Sequence, residues 1–367
     1  MVTVTHTTLS SDTRMRAAVL IEPGRIEMER RPVPTPQPGD VLVRVSSVGV
    51  CGSDTHYYRH GRVGGFVVEA PLVLGHEAAG TVVGVGDSVD PSRIGQRVSI
   101  EPQRPDPDSD ETRRGHYNLC PHMRFFATPP VDGALCEYVT IGAEFAHPVP
   151  DSMSDDAAAL CEPLSVGIAA IRKAELDGPG RAVGAPPTRR VGGRREDGGS
   201  RVLIAGAGPI GIVVTQLARA YGATEIVVSD PDPSRRDRAL AFGATTSIDP
   251  TAGDTDDLAV DAFIDASGAA AAVAAGIRAV RPAGRIVLVG SGAESMELPT
   301  QLIQNRELVL TGVFRYANTW PTAIALVESG RVDLDAMVTA RFPLERAADA
   351  LDSDRIPGSV KSVVTVS

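Results

Sequence analysis

Four residues in the first half of the chain combine the donor types of a zinc site: Cys51, His76, Glu77 and Glu162. They stand in Cys51-Gly-Ser53-Asp54-Thr-His56, in Gly75-His76-Glu77 and in Cys161-Glu162-Pro163. Thiolate, imidazole and carboxylate together suit a borderline-soft divalent ion. No Cys-x-x-Cys pair occurs, so the four closed ligands of a structural site are missing, and a dispersed set leaves the open position that catalysis needs. Zn²⁺ with Cys51 thiolate, neutral His76 and Glu77 carboxylate sums to zero charge. Adding Glu162 makes the site net negative and weakens its Lewis acidity, which predicts that Glu162 is a conditional ligand or holds the metal-bound water, with exchange during the cycle. Taken alone, Cys51 reads equally as a buried core thiol. Cys161 rivals Glu162, because on a helix adjacent side chains diverge by about 100° and only one of them faces a given ion.

The same segment supplies partners. Asp54 can accept a hydrogen bond from a ligand histidine and fix its ring. Ser53 and His56 can relay a hydroxyl proton to solvent, serine passing it and imidazole exchanging it near neutral pH. The plain alternative for His56 is a surface histidine.

A second constellation lies downstream. Gly206-Ala-Gly208-Pro209-Ile210-Gly211 follows the apolar run Arg201–Ala205 and opens a helical pattern. Its glycines permit a tight turn, close approach of a pyrophosphate, and close helix–strand packing, with the phosphates at the helix N-terminus. Asp230 lies 19 residues beyond Gly211, where a carboxylate accepts the ribose hydroxyls of an adenosine and repels a 2′-phosphate. NAD is therefore expected over NADP. Arg235 and its neighbour Arg236 weaken the preference, since they can pair with a 2′-phosphate. The alternative for Asp230 is a simple turn cap.

The elements that must position these residues fall into two textures. Chain length, 367 residues, suggests two domains. From Met15 short β-branched runs alternate with Gly and Pro: Ala17–Ile21, Val41–Val45, Gly80–Val85, Arg97–Ile100 and Leu135–Ile141. Few helical periods precede Ser154, which is placed to cap a helix. From Arg201 the texture is α/β. Strands are expected at Arg201–Ala205, Glu225–Ser229, Ala262–Asp265, Arg285–Val289 and Leu308–Thr311. The helices between them should make parallel βαβ units. A last helix is expected over Trp320–Glu328, followed by a return to the β texture. Residues 1–15 read as a flexible tail. Residues 177–200, rich in Gly, Pro and Arg, read as a surface insertion or, less plainly, a cationic arm.

Composition bounds the rest. The formal charge is −10 and apolar content is 43%, which suits a globular chain and excludes a nucleic-acid binder lacking any basic block. No run is apolar and long enough for a membrane span, and the N-terminus lacks a signal-peptide order. Four cysteines make no disulfide framework. A cytoplasmic enzyme is the expectation.

Several stretches carry a specific resemblance: VCGSDTHYYRHGRVGGFVVEAPLVLGHEAAGTVVGVG from Val50, GHYNLCPHMRFFATPPVDGALCEYV from Gly115, CEPLSVG from Cys161, AGAGPIG from Ala205 and TGVFRYANTWPTAI from Thr311. The chain resembles the zinc-containing medium-chain alcohol dehydrogenase superfamily, in its polyol dehydrogenase branch of sorbitol and xylitol enzymes. The resemblance implies a GroES-like β-rich catalytic domain (16–165 and 315–367) and a Rossmann doubly wound parallel-sheet coenzyme domain (166–314), with the active site in the cleft between them. It implies one catalytic zinc on Cys51, His76 and Glu77 or Glu162, and its Glu-Pro-Leu-Ser motif favours Glu162 over Cys161. It further implies that Arg315 and Tyr316 recognise outer hydroxyls of a polyol, with Tyr57, Phe125 and Phe126 as further pocket residues, and that subunits pair as tetramers or dimers.

Two departures stand out. Relatives often hold a structural zinc on four cysteines, whose places here are Asp106, Ser109, Thr112 and Cys120. One thiol with Asp, Ser and Thr cannot rebuild that soft tetrahedral site, so no structural zinc is expected. The 177–200 insertion is the other. The implied reaction is reversible oxidation of a secondary hydroxyl of a sugar alcohol to a ketose with NAD⁺. The rivals are a 2,3-diol, a simple alcohol or a threonine-like amino alcohol in the same superfamily, and a metal-free quinone reductase or non-enzymatic protein outside it.

Overall fold

The computed structural model describes residues 13–176, 200–252, 258–292 and 294–366. They form two compact units: residues up to Glu162 together with those from Leu334 onward, and Pro163–Asp333.

The first unit is β-rich. Its main sheet runs in the order Ala146–Pro148, Arg97–Ile100, Glu77–Val85, Asp40–Gly49, Lys361–Thr365, Val338–Pro343, with Tyr138–Gly142 also paired to Asp40–Gly49. A smaller sheet joins Arg25–Pro32, Arg14–Glu22 and Leu72–Val73. Asp40–Gly49 reads buried at nearly every position, as a central strand must. Its side chains Val41, Val43, Val45 and Val48 join Leu20, Leu74, Ile100 and Ile141 in one apolar core. Arg25–Pro32 has no such face: it is a polar strand paired along one edge to Arg14–Glu22.

The second unit holds a six-stranded sheet in which every pairing is parallel. The order is Thr246–Ile248, Ala223–Ser229, Ser200–Ala205, Val260–Asp265, Val280–Leu288, Val309–Gly312. Numbered along the unit this is 3-2-1-4-5-6, the doubly wound arrangement, whose direction reverses beside its first strand. The inner strands Ser200–Ala205, Ala223–Ser229 and Val260–Asp265 are largely buried, and Leu203, Val227, Phe263 and Ile286 form a core with Val273 and Ile277 of the helix Ala270–Ala279. That helix lies close because Gly276 faces the Phe263 ring, which a Cβ there would overlap at 2.2 Å.

Three expectations need correction. The strand Arg14–Glu22 already includes Arg14 and Met15, because its register with Arg25–Pro32 begins at Arg14; residues 1–12 of the expected tail lie outside the described residues. The segment 315–333 belongs to the second unit, not to the β-rich one. Its end is tied there by two hydrogen bonds between the Gln216 side chain and the Asp333 backbone, at 2.8 and 3.1 Å. A helix absent from the sequence reading, Gly52–His60, opens directly at Cys51. Of the 177–200 insertion, residues 177–199 lie outside the described residues, and Ser200 opens a strand.

Candidate metal centre and coenzyme turn

The first unit's sheet register brings three chain segments to one point. Gly49 is paired with Glu77 across one edge of its strand and with Val363 across the other. The Val50 N–H then donates to the Ser362 carbonyl at 2.9 Å. Cys51 follows as the N-cap of the helix Gly52–His60, His76 immediately precedes Glu77, and Lys361 begins the neighbouring strand.

Here one donor atom each from Cys51, His76 and Glu77 gathers within 4.8 Å of the others. A tetrahedral zinc with bonds of about 2.0–2.3 Å sets its donors about 3.5 Å apart, so the three are close to ligand spacing. Asp54 orients the cluster. Its carboxylate accepts the Gly75 N–H at 3.0 Å, accepts the Cys51 N–H at 3.4 Å and lies 3.3 Å from His76 Nδ1. With Nδ1 turned to Asp54, Nε2 is the ring atom left for a metal. Phe125 packs against the same imidazole, with ring centroids 5.5 Å apart.

Charge in this buried place demands a cation. Burial pushes the His76 pKa down, but Asp54 and Cys51 outweigh it and hold the imidazole protonated well above its usual range. A divalent ion would displace that proton. Glu77 is 1% exposed, its Oε1 accepts Lys361 Nζ at 2.5 Å, and its Oε2 has no hydrogen-bond partner. A buried carboxylate oxygen without a donor is costly unless an ion occupies its lone pair. Gly49 makes the room, since a Cβ there would stand 2.1 Å from Oε2. The donor set, the orphaned oxygen and the oriented histidine all fit zinc.

Glu162 is buried too but is not one of the three gathered donors. It lies in the first turn of the helix Cys161–Lys173. Its rival Cys161 turns its Sγ to the Ala157 carbonyl at 3.6 Å, and burial pushes that thiol up to about 12, unlike a ligand. Ser53 is half-buried and His56 exposed, its ring 5.6 Å from that of His60. Tyr57 and Phe126 are part of the first unit's apolar core. Arg315 and Tyr316 belong to the second unit: Arg315 adopts φ 56° with its guanidinium over the Phe314 ring, and Tyr316 is buried edge-on to Trp320.

Asp106, Ser109, Thr112 and Cys120, where no structural zinc is expected, are joined by hydrogen bonds. Ser109 caps the short helix Asp110–Arg113 and bonds Thr112 through both N–H and hydroxyl, while the Asp106 N–H donates to Cys120 Sγ at 3.2 Å. Burial raises the Cys120 pKa, but hydrogen bonds from Ser109 and the Asp106 and His122 backbone bring the net shift below the usual thiol value.

In the second unit the fingerprint forms a strand–turn–helix. Gly206 has φ 94°, open to glycine, and a Cβ on Gly211 would stand 1.8 Å from the Gly206 carbonyl. Gly208 faces open space and caps the helix Pro209–Ala220, with Pro209 and Ile210 in its first turn. Asp230 is buried; one oxygen accepts the Ala207 N–H at 2.8 Å and the other the Asp232 N–H at 2.9 Å, so it braces the glycine turn and caps its own. Arg236 is committed to the Asp230 and Pro231 carbonyls and to Asp249, whereas Arg235 is exposed, 3.9 Å from Asp232.

A doubly wound sheet with a glycine turn, in a chain that also carries a β-rich unit with a Cys–His–Glu cluster, defines a metal-dependent nicotinamide dehydrogenase. Comparison with known proteins agrees. Residues 37–151 match the alcohol dehydrogenase GroES-like domain and residues 209–329 the zinc-binding dehydrogenase domain. The chain is 41% identical over 341 residues to sorbitol dehydrogenase of Homo sapiens, covering 90% of each, and 38% identical over 359 residues to that of Bacillus subtilis, covering 95% of each. Among solved structures it is similar to L-idonate 5-dehydrogenase of Escherichia coli (TM-score 0.86, 27% identity, covering 96% of this chain and 99% of that one). It is also similar to 2R,3R-butanediol dehydrogenase of Bacillus subtilis (TM-score 0.82, 27% identity, covering 96% and 100%). The chain belongs to the zinc-containing medium-chain dehydrogenase/reductase superfamily, in its polyol dehydrogenase branch, and is an NAD-dependent zinc oxidoreductase.

The sequence reading missed Lys361. The signal was there: only Lys173 and Lys361 are lysine among 36 basic residues, so a lysine is itself unusual in this chain.

Proposed function

We propose that this enzyme oxidises a secondary hydroxyl of a sugar alcohol of the xylitol or sorbitol kind to the ketose, reversibly, with NAD⁺ taking the hydride and one proton leaving to solvent. The observation that carries the chemistry is the buried Cys51–His76–Glu77 cluster with its unpartnered Glu77 oxygen. Likeness to sorbitol dehydrogenases along nine-tenths of the chain supports the polyol substrate.

A zinc ion held by Cys51, His76 and Glu77 supplies the positive charge that lets a substrate hydroxyl release its proton near neutral pH. Glu162 is the conditional fourth ligand. Ser53 takes the hydroxyl proton at its Oγ, and a ring nitrogen of His56 delivers it to water; half-buried serine followed by exposed histidine is the order such a path needs. Arg315 and Tyr316 recognise outer hydroxyls, the guanidinium as a donor and never as a base. Tyr57, Phe125 and Phe126 wall the pocket. Gly206, Gly208, Pro209, Ile210 and Gly211 receive the pyrophosphate, Asp230 the adenosine ribose, and Arg235 flanks it.

A vicinal diol is the second reading, favoured by the likeness to 2R,3R-butanediol dehydrogenase. Steady-state kinetics on alditols, 2,3-butanediol, simple alcohols and threonine decides. The polyol reading expects kcat/KM highest for an alditol, and a preference for butanediol or threonine would overturn it.

The enzyme is further proposed to be a cytoplasmic homotetramer, or a dimer. The strand Val309–Gly312 is an edge of its sheet with Val309 and Leu310 exposed, an apolar edge that calls for a cover. All four cysteines are free thiols, and among the described residues no helix is long and apolar enough to cross a membrane. Light scattering of the purified protein tests the assembly, and a monomer would contradict it.

A further inference from the structure

Lys361 is 3% exposed and lies behind the metal cluster. Its Nζ donates to Glu77 Oε1 at 2.5 Å and to the Val50 carbonyl at 2.7 Å, one residue before Cys51. The strand register makes this placement obligatory, because Val363 pairs with Gly49 and Gly49 with Glu77. Glu77 thus has two unlike oxygens: one held by an ammonium, the other unpartnered with Gly49 leaving it room. In a chain that otherwise uses arginine for 34 of its 36 basic residues, a buried lysine here points to a need for a compact charge that a planar guanidinium does not meet.

Resting on the zinc reading above, we propose that Lys361 is a positioning residue: it holds Glu77 to a single-oxygen contact with the metal and supplies the positive charge that lets Glu162 share the site. The charge count of the sequence reading omitted it. Counting the metal, the groups that would touch it and Lys361, zinc, the Cys51 thiolate and the Glu77 carboxylate sum to zero, Lys361 adds one positive charge, and Glu162 brings that set back to neutral, with the Asp54 carboxylate behind His76 outside the count. The Lys361 ammonium also opposes the zinc ion through Coulomb repulsion, so the site gives up metal affinity for a more positive, more acidifying centre.

The test is zinc retention by the holoenzyme against a chromophoric chelator, with the visible spectrum of the cobalt-substituted protein as a second readout. Lys361→Met and Lys361→Gln should hold zinc at least about tenfold more tightly than wild type, with alditol turnover reduced. In Lys361→Met the cobalt bands should shift, since no donor then holds Glu77 and both its oxygens are free. Lys361→Arg, with the charge kept, should hold zinc nearer to wild type than the neutral variants do, while its wider guanidinium displaces Glu77 and shifts the cobalt bands. If Lys361→Met does not fold, Lys361→Gln still donates to Glu77 without the charge and carries the test. Folded neutral variants that hold zinc equally or more loosely, with an unchanged cobalt spectrum, overturn the proposal and leave Lys361 a packing residue. Wild-type protein without zinc overturns the metal reading itself, and this inference with it.

Discussion

The metal cluster and the glycine turn face opposite electrostatic problems. The first collects anionic and electron-rich side chains around a place for a cation: Cys51, His76 and Glu77, braced by Asp54 and balanced by Lys361. The second presents backbone N–H groups to an anion at the start of the helix Pro209–Ala220 and needs almost no side chains. Side-chain charge must be assembled from distant parts of the chain by a sheet, whereas backbone donors come with a single local turn. The cluster should therefore be fragile to single side-chain changes, and the turn to changes in backbone shape.

The sharpest break of that contrast is Cys51→Ser. A neutral hydroxyl replaces the one thiolate of the cluster, so metal content should collapse and kcat/KM fall by about a thousandfold or more, while NADH binding stays within about twofold. Equal loss of coenzyme binding would mean the two sites are not separable. Asp54→Asn comes next. It keeps the shape but not the charge beside His76, and zinc affinity should drop about 10–100-fold. Unchanged affinity would show that the Gly75 and Cys51 N–H bonds, not the histidine, are the work of Asp54.

On the coenzyme side, Asp230→Ala should raise the KM for NAD⁺ about tenfold and narrow the preference over NADP⁺, with metal content unchanged. Arg236 would remain tied to its carbonyls and Asp249, so a full switch to NADP⁺ is not expected. The smallest effect concerns pH. The metal-free protein holds His76 protonated above the ordinary histidine value. That raised pKa contributes stability which is complete below the unfolded value near 6.5 and is lost as pH rises through the folded value. Melting of the metal-free protein should thus decline as pH climbs above neutrality, and zinc uptake at pH 7 should release a proton, seen by calorimetry in two buffers. A melting temperature that does not fall over that range would contradict the charged His76.

How much could be read from residues alone follows the same division. The strand, turn and helix around Gly206–Gly211 are contiguous, and β-branched runs with period breaks marked the sheet; the helix Trp320–Glu328 falls where its apolar spacing put it. The short strand Thr246–Ile248 and the polar strand Arg25–Pro32 carried too little apolar pattern to be seen. The helix Gly52–His60 was hidden because its buried face is Asp54, Thr55, Tyr57 and Tyr58, polar and aromatic instead of aliphatic. In the metal cluster the ligand types were legible from donor chemistry, and so was Asp54. Lys361 was not, since nearly three hundred residues separate it from Glu77 and only the pairing of three strands brings them together.

The central claim is one zinc per chain in the Cys51–His76–Glu77 cluster, required for hydride transfer to NAD⁺. Metal analysis of purified enzyme in parallel with alditol turnover, before and after chelation and after zinc is restored, tests it most directly. One zinc per chain, loss of turnover as it is withdrawn and recovery on its return are the predicted result; full turnover by protein free of zinc would contradict it.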